Sequence, residues 1–163
     1  MRMKINILAG IVFAVGTALA GGSVNAEDAS TFPPASGGQT INVPASALKF
    51  AHTGLKNAAG GAEVLGVDAF GDQKTSKHDT FMKYPGQFES PPHSHTYDYY
   101  AVVIKGVRAN YAPGTTPVKL GPGSYWYQKG HEAHITACVS KEQCLIFVVQ
   151  SQAFDAQVPP KTN

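Results

Sequence analysis

Long apolar runs are nearly absent from this 163-residue chain. The exception is residues 6–20, NILAGIVFAVGTALA, apolar apart from Asn6 and Thr17. It follows a short basic start, Arg2 and Lys4, and leads into GGSVNA. Val24 and Ala26 fit the small-residue pattern of a cleavage site, with Glu27 first in the mature chain. A membrane-spanning helix takes about 20 apolar residues. The shorter, glycine-broken run therefore reads as a cleaved secretory signal over 1–26 rather than a retained anchor, and predicts a periplasmic or secreted protein with no membrane attachment after cleavage. No cysteine stands near the boundary, which argues against a lipid anchor.

Net charge is also lacking beyond that segment. Residues 27–163 carry 11 Lys and Arg against 11 Asp and Glu, so the +2 of the whole chain belongs to Arg2 and Lys4. A neutral chain without basic runs gives no electrostatic basis for binding nucleic acid. No segment sustains a 3.6-residue apolar period, and no repeat of solenoid length is present. Cysteine is scarce: Cys138 and Cys144 bracket VSKEQ. An even count in an exported chain favours a disulfide, here a staple across a hairpin joining HITACV to CLIFVVQ. A metal-binding cysteine pair is the competing reading, but the spacing is not that of a zinc ribbon.

What the chain does have is short strand-like segments. Residues 27–45, rich in Ser, Pro, Gly and Ala, read as a flexible arm, and 46–158 as one domain followed by a 159–163 tail. SALKF is a short strand or turn. AEVLGVDAFGD, KHDTFMKY, TYDYYAVVIKG, VRANYA, PVKL, SYWYQ, HITACV and CLIFVVQ follow, separated by turn signals such as Pro85-Gly86, Pro113-Gly114 and Gly121-Pro122-Gly123. This punctuation predicts an all-β sandwich or barrel.

The most informative stretch is SPPHSHTYDYYAVVIKG, residues 90–106. Side chains alternate faces along a strand. An extended chain from residue 93 therefore puts His93, His95, Tyr97, Tyr99, Ala101 and Val103 on one face. Two imidazoles so placed can reach one ion, and Pro91 and Pro92 stiffen their approach. A third ligand must come from elsewhere. The segment GPGSYWYQKGHEAHITAC, residues 121–138, offers His131, Glu132 and His134. His134 opens a strand, whereas His131 follows Gly130 and reads, with Glu132, as part of a polar turn. A shared ion requires the nitrogens to converge to within about 3–4 Å. His52 and His78 lie outside these motifs and read as exposed. By alternation Tyr125 and Tyr127 share one face and Trp126 takes the other. The tyrosines at 97, 99, 100, 125 and 127 with Trp126 are either core and sheet packing or the lining of a pocket above the ion.

These two segments resemble the paired motifs of the cupin superfamily, small jelly-roll barrels that hold a metal. The first cupin motif reads Gly, five residues, His-x-His, three or four residues, Glu, six residues, Gly. This chain has Gly86, six residues, His93-Ser94-His95, three residues, Tyr99, six residues, Gly106. The second reads Gly, five residues, Pro-x-Gly, two residues, His, three residues, Asn. Here Gly123 is followed by four residues, Gln128-Lys129-Gly130, three residues, His134, three residues and Cys138. The resemblance spans about residues 60–150 and looks closest to the ChrR-type cupins, the zinc-binding domain of an anti-sigma factor, and to exported cupin-like proteins. It implies a single all-β cupin jelly roll, a homodimer, and a divalent transition metal, zinc or iron, on His93, His95 and His134. Tyr99 stands where the motif has glutamate. It is expected as a fourth ligand, a proton donor or a hydrogen-bond donor to a metal-bound water, with Asp98, His131 and Glu132 as other sources of a fourth ligand.

Three functions fit this reading. The first is a metal-dependent enzyme of oxygenase or isomerase type acting on a small molecule. The second is a non-catalytic module that binds or senses a metal or small ligand. The third is a scaffold with a vestigial, metal-free site.

Overall fold

The computed structural model describes residues 40–162. The expected signal segment 1–26 and most of the 27–45 arm lie outside the described residues. A short 3-10 turn at Ala45–Ala47 precedes eight strands: β1 (Ala51–Lys56), β2 (Glu63–Gly71), β3 (His78–Tyr84), β4 (Tyr99–Lys105), β5 (Arg108–Tyr111), β6 (Tyr125–Gln128), β7 (Ile135–Cys138) and β8 (Cys144–Gln150). Seven of them fall within segments expected from β-branched and aromatic content. β1 does not, because AHTGLK carries a glycine at positive φ and its pairing with β2 is irregular between His52 and Lys56. PVKL forms no strand; Leu120 makes a single bridge to Arg108.

The strands form two antiparallel sets. The larger is a six-stranded sheet in the order β1-β2-β3-β8-β4-β6, and the smaller pairs β5 with β7. Residues 88–94 run beside β7. Cys138 N donates to Phe88 O at 2.8 Å, Ser90 N to Thr136 O at 2.9 Å, and His93 and His134 exchange both backbone bonds at 3.0 and 2.9 Å. The core lies between the two layers. Met82 and Tyr84 of β3, Tyr99, Ala101 and Val103 of β4, Trp126 of β6 and Ile146 and Val148 of β8 meet Phe88 and Cys138 from the other side. The period-2 alternation is clear on β4 and β6, where every second residue is buried.

Cys138 and Cys144 are bonded. Their strands are not hairpin partners, however: β7 pairs with β5, while β8 pairs with β3 and β4. The bond therefore ties the two sheets together instead of stapling a hairpin. Gly106 is required beside it. It sits at φ 83°, and a Cβ there would lie 2.7 Å from Cys144 Sγ.

His78 corrects the reading of an exposed side chain. It is buried on β3, with Nδ1 2.7 Å from Thr80 Oγ1 and Nε2 3.0 Å from Gln150 Oε1. Those partners come from its own strand and from β8, which long-range pairing places beside it.

Candidate metal centre

The antiparallel bridge between His93 and His134 builds the site. Residues directly opposite in such a pair project to the same face, with side chains close enough to touch. His95, two residues beyond His93, returns to that face. All three rings are buried, with centroids 4.2 Å apart for His93–His134, 5.0 Å for His93–His95 and 5.1 Å for His95–His134. Their ligand atoms lie within 4.8 Å of one another. Coordination at about 2 Å per bond brings such atoms to about 3–4 Å of one another, inside that bound.

The outer nitrogens show which lone pairs face the centre. His93 Nδ1 lies 3.0 Å from Pro91 O and 3.2 Å from Ser90 Oγ. His134 Nδ1 lies 3.1 Å from Glu132 O, and His95 Nδ1 contacts Asp155 O. A carbonyl oxygen only accepts, so each Nδ1 carries the proton and each Nε2 keeps its lone pair. His134 Nε2 is buried with no hydrogen-bond partner. Protonation is suppressed as well. Burial, then the neighbouring imidazoles, push His134 down to about 3; burial, then His93, push His95 down to about 4; burial lowers His93. Three neutral imidazoles with oriented Nδ1–H groups are the donor set that a borderline divalent ion takes. The residues therefore fit a metal.

The strand does not run unbroken from residue 93. Residues 96–98 bend out of it. Thr96 N donates to Asp155 Oδ1 at 2.9 Å, Thr96 Oγ1 to Asp155 Oδ2 at 2.7 Å, and Gly130 N to Asp98 Oδ1 at 2.7 Å. Tyr97 consequently points outward, 44% exposed, and β4 begins at Tyr99. Gly130 allows this approach, since a Cβ there would lie 2.6 Å from Thr96 O.

Asp98, His131 and Glu132 stay outside the cluster. Asp98 accepts a second bond from the Tyr127 hydroxyl at 2.6 Å. His131 adopts φ 60° in the turn, and Glu132 pairs with Lys129 at 3.6 Å. Tyr99 is buried and edge-on to His95 at 5.3 Å between centroids. Its oxygen accepts a long bond of 3.5 Å from Trp126 Nε1, and burial keeps the hydroxyl protonated, well above the usual tyrosine range. Tyr100, Tyr125 and Tyr127 are exposed on the outer face, so of the six aromatics only Tyr99 and Trp126 turn inward. Asp155 and Phe154 escape sequence reasoning altogether. They follow β8, about 60 positions from His93 and His95 and about 20 from His134, and no local pattern marks them. Phe154 packs on His95 at 5.1 Å.

Solved structures with the same fold include the polyketide cyclase RemF from Streptomyces resistomycificus, with a TM-score of 0.60 and 17% identity over 73% of this chain and 84% of that one. A predicted oxalate decarboxylase from Thermotoga maritima gives 0.55 and 14% over 69% and 99%. An RmlC-like cupin from Shewanella frigidimarina gives 0.52 and 12% over 71% and 93%. These likenesses establish the cupin fold. No curated protein matches the chain. The family model that matches residues 53–162 is described as a domain of unknown function, and the chain thus belongs to the DUF4437 family.

Proposed function

We propose that this protein is an exported metalloprotein of the cupin fold that binds a divalent transition metal, zinc or iron, through Nε2 of His93, His95 and His134, and that it acts on a small molecule. The observation that carries this reading is the set of three Nδ1 contacts to backbone carbonyls. They turn three lone pairs toward one buried point, and the deep burial keeps those lone pairs free of protons. A neutral surface position on a hydrophobic strand gains nothing from such an arrangement. A metal ligand does.

When bound, the metal supplies Lewis-acid polarisation of a ligand oxygen. The chain's own residues do the rest. The Pro91, Glu132 and Asp155 carbonyls hold the three rings in one tautomer and orientation. Phe154 and the β-sheet core keep bulk water out. Tyr99, kept protonated beside His95, accepts from Trp126 Nε1 and holds its own O–H as a hydrogen-bond donor. The cyclase and decarboxylase names among the similar folds favour bond rearrangement of an oxygen-bearing small molecule. Action outside the cytoplasm agrees with the Cys138–Cys144 bond.

Metal content tests the proposal. The processed protein, purified without chelators, is analysed by mass spectrometry beside His95→Ala. Near-stoichiometric metal in the wild type and its loss in the variant are expected. Absence of metal from the wild type even after reconstitution overturns the reading. Iron directs the search to oxygen-consuming reactions, and zinc to lyase, isomerase and hydrolase assays.

A further inference from the structure

The histidine centre has almost no room of its own. The cavity beside it, bounded by Tyr84, Tyr99, Leu55 and Phe154, offers about 10 Å³ to the centre of a water-sized sphere. That is space for about one water or one ligand atom. Directly outside lies a cleft of about 480 Å³ on the same measure, walled by Thr53–Ala58, Pro91 and the 154–158 segment. Its size is that of a small-molecule site, ~300–1,000 Å³. Leu55 and Phe154 line both spaces.

Phe154 sits on a backbone that is fixed on both sides. Its N–H donates to Gln73 O at 2.7 Å. Asp155 is held through its carbonyl by His95 and through its carboxylate by Thr96 and Gln157. Gln157 in turn exchanges backbone bonds with Ser94 at 3.2 and 2.9 Å. Leu55 belongs to a strand. The movable element of the partition is therefore the Phe154 side chain, which turns about its own rotatable bonds.

We propose that the outer cleft is the ligand chamber of the histidine centre and that the Phe154 ring is its door. The two volumes set the ligand's size and the three-histidine centre its end group: a small organic molecule whose body stays in the cleft and whose terminal oxygen donor, a carboxylate or carbonyl oxygen, passes the ring into the inner space. This inference rests on the metal-centre reading above, but its test does not require metal.

The test is imidazole modification by diethyl pyrocarbonate in the full protein after chelation, read residue by residue by peptide mass spectrometry. His52, whose side chain is 75% exposed, serves as internal reference. In the wild type His95 reacts slowly relative to His52. In Phe154→Ala the His95 rate rises by at least about tenfold, the ratio for an opening step that costs about 1.4 kcal/mol or more and is no longer needed. Phe154→Leu, which keeps an apolar plug, is expected in between and serves if the alanine variant does not fold. Ala156→Trp, which fills the cleft, slows His95 without altering His52. Fast His95 modification in the wild type, unchanged rates in folded Phe154 variants, or no slowing in Ala156→Trp overturns the proposal. Metal analysis of the same proteins reports separately on the centre itself.

Discussion

Arg108 offers the sharpest test of the physical reasoning. It has no exposed surface, and none of its Nε, Nη1 and Nη2 atoms has a hydrogen-bond partner among the described residues. Its guanidinium carbon lies 3.7 Å over the Tyr84 ring and 5.9 Å from the centre of Trp126. Burial disfavours the charge; the Tyr84 hydroxyl, near the guanidinium but outside hydrogen-bond geometry, and the Tyr99 hydroxyl favour it. Arginine nevertheless stays protonated in proteins. Removing such an ion from water costs several kcal/mol even after relaxation. A desolvated cation–π contact returns about 2 kcal/mol. The side chain is thus a net cost to the fold, and replacing it with an apolar residue of similar length should stabilise the protein. Arg108→Met is expected to raise the free energy of unfolding by about 1–4 kcal/mol, or roughly 4 °C in Tm per kcal/mol for a domain of this size. Arg108→Lys keeps the charge but loses the planar stacking group, and should destabilise by about 2 kcal/mol or more. Urea unfolding followed by circular dichroism, with the metal state held fixed, measures both. A folded Arg108→Met variant that loses more than about 2 kcal/mol would refute the argument, because it would mean that the native charge is compensated.

Two further predictions concern the rest of the fold and its response to pH. The folded-state pKa values of His95 and His134 are depressed, to about 4 and about 3. Their contribution to stability is thus complete above the unfolded value of about 6.5 and is lost progressively as pH falls from there toward 3. Urea midpoints of the chelated protein should fall steadily between pH 7 and pH 4, and a flat profile would show that these rings are solvated. Breaking the disulfide by changing both Cys138 and Cys144 to Ser should cost about 2 kcal/mol, since the closed loop is short and removes little chain entropy. Reduction of the wild type should move the urea midpoint by a similar amount.

The ring contacts also bear on what loading does to the site. His93, His95 and His134 meet edge to face or tilted, with ligand atoms all within 4.8 Å of one another. The bonds that orient each Nδ1 anchor the rings at their outer ends.

By itself the sequence indicated seven of the eight strands, a bond between the two cysteines and one histidine pair, His93 and His95, that an extended backbone turns to one face. Each of these is local chemistry. Turn residues delimit strands, and alternation separates Trp126 from Tyr125 and Tyr127. An i, i+2 histidine pair needs only an extended backbone to converge. Tertiary structure decided everything that depends on which segment lies across from which. It placed His134 directly opposite His93 and brought the Asp155 carbonyl to His95 and its carboxylate to Thr96. It bent residues 96–98 so that Tyr97 left the inner face, buried His78 against Gln150, and set Cys138 and Cys144 in different sheets. It also enclosed the Arg108 charge between two aromatic rings. Long-range backbone pairing makes those choices, and no residue carries it in its immediate neighbours.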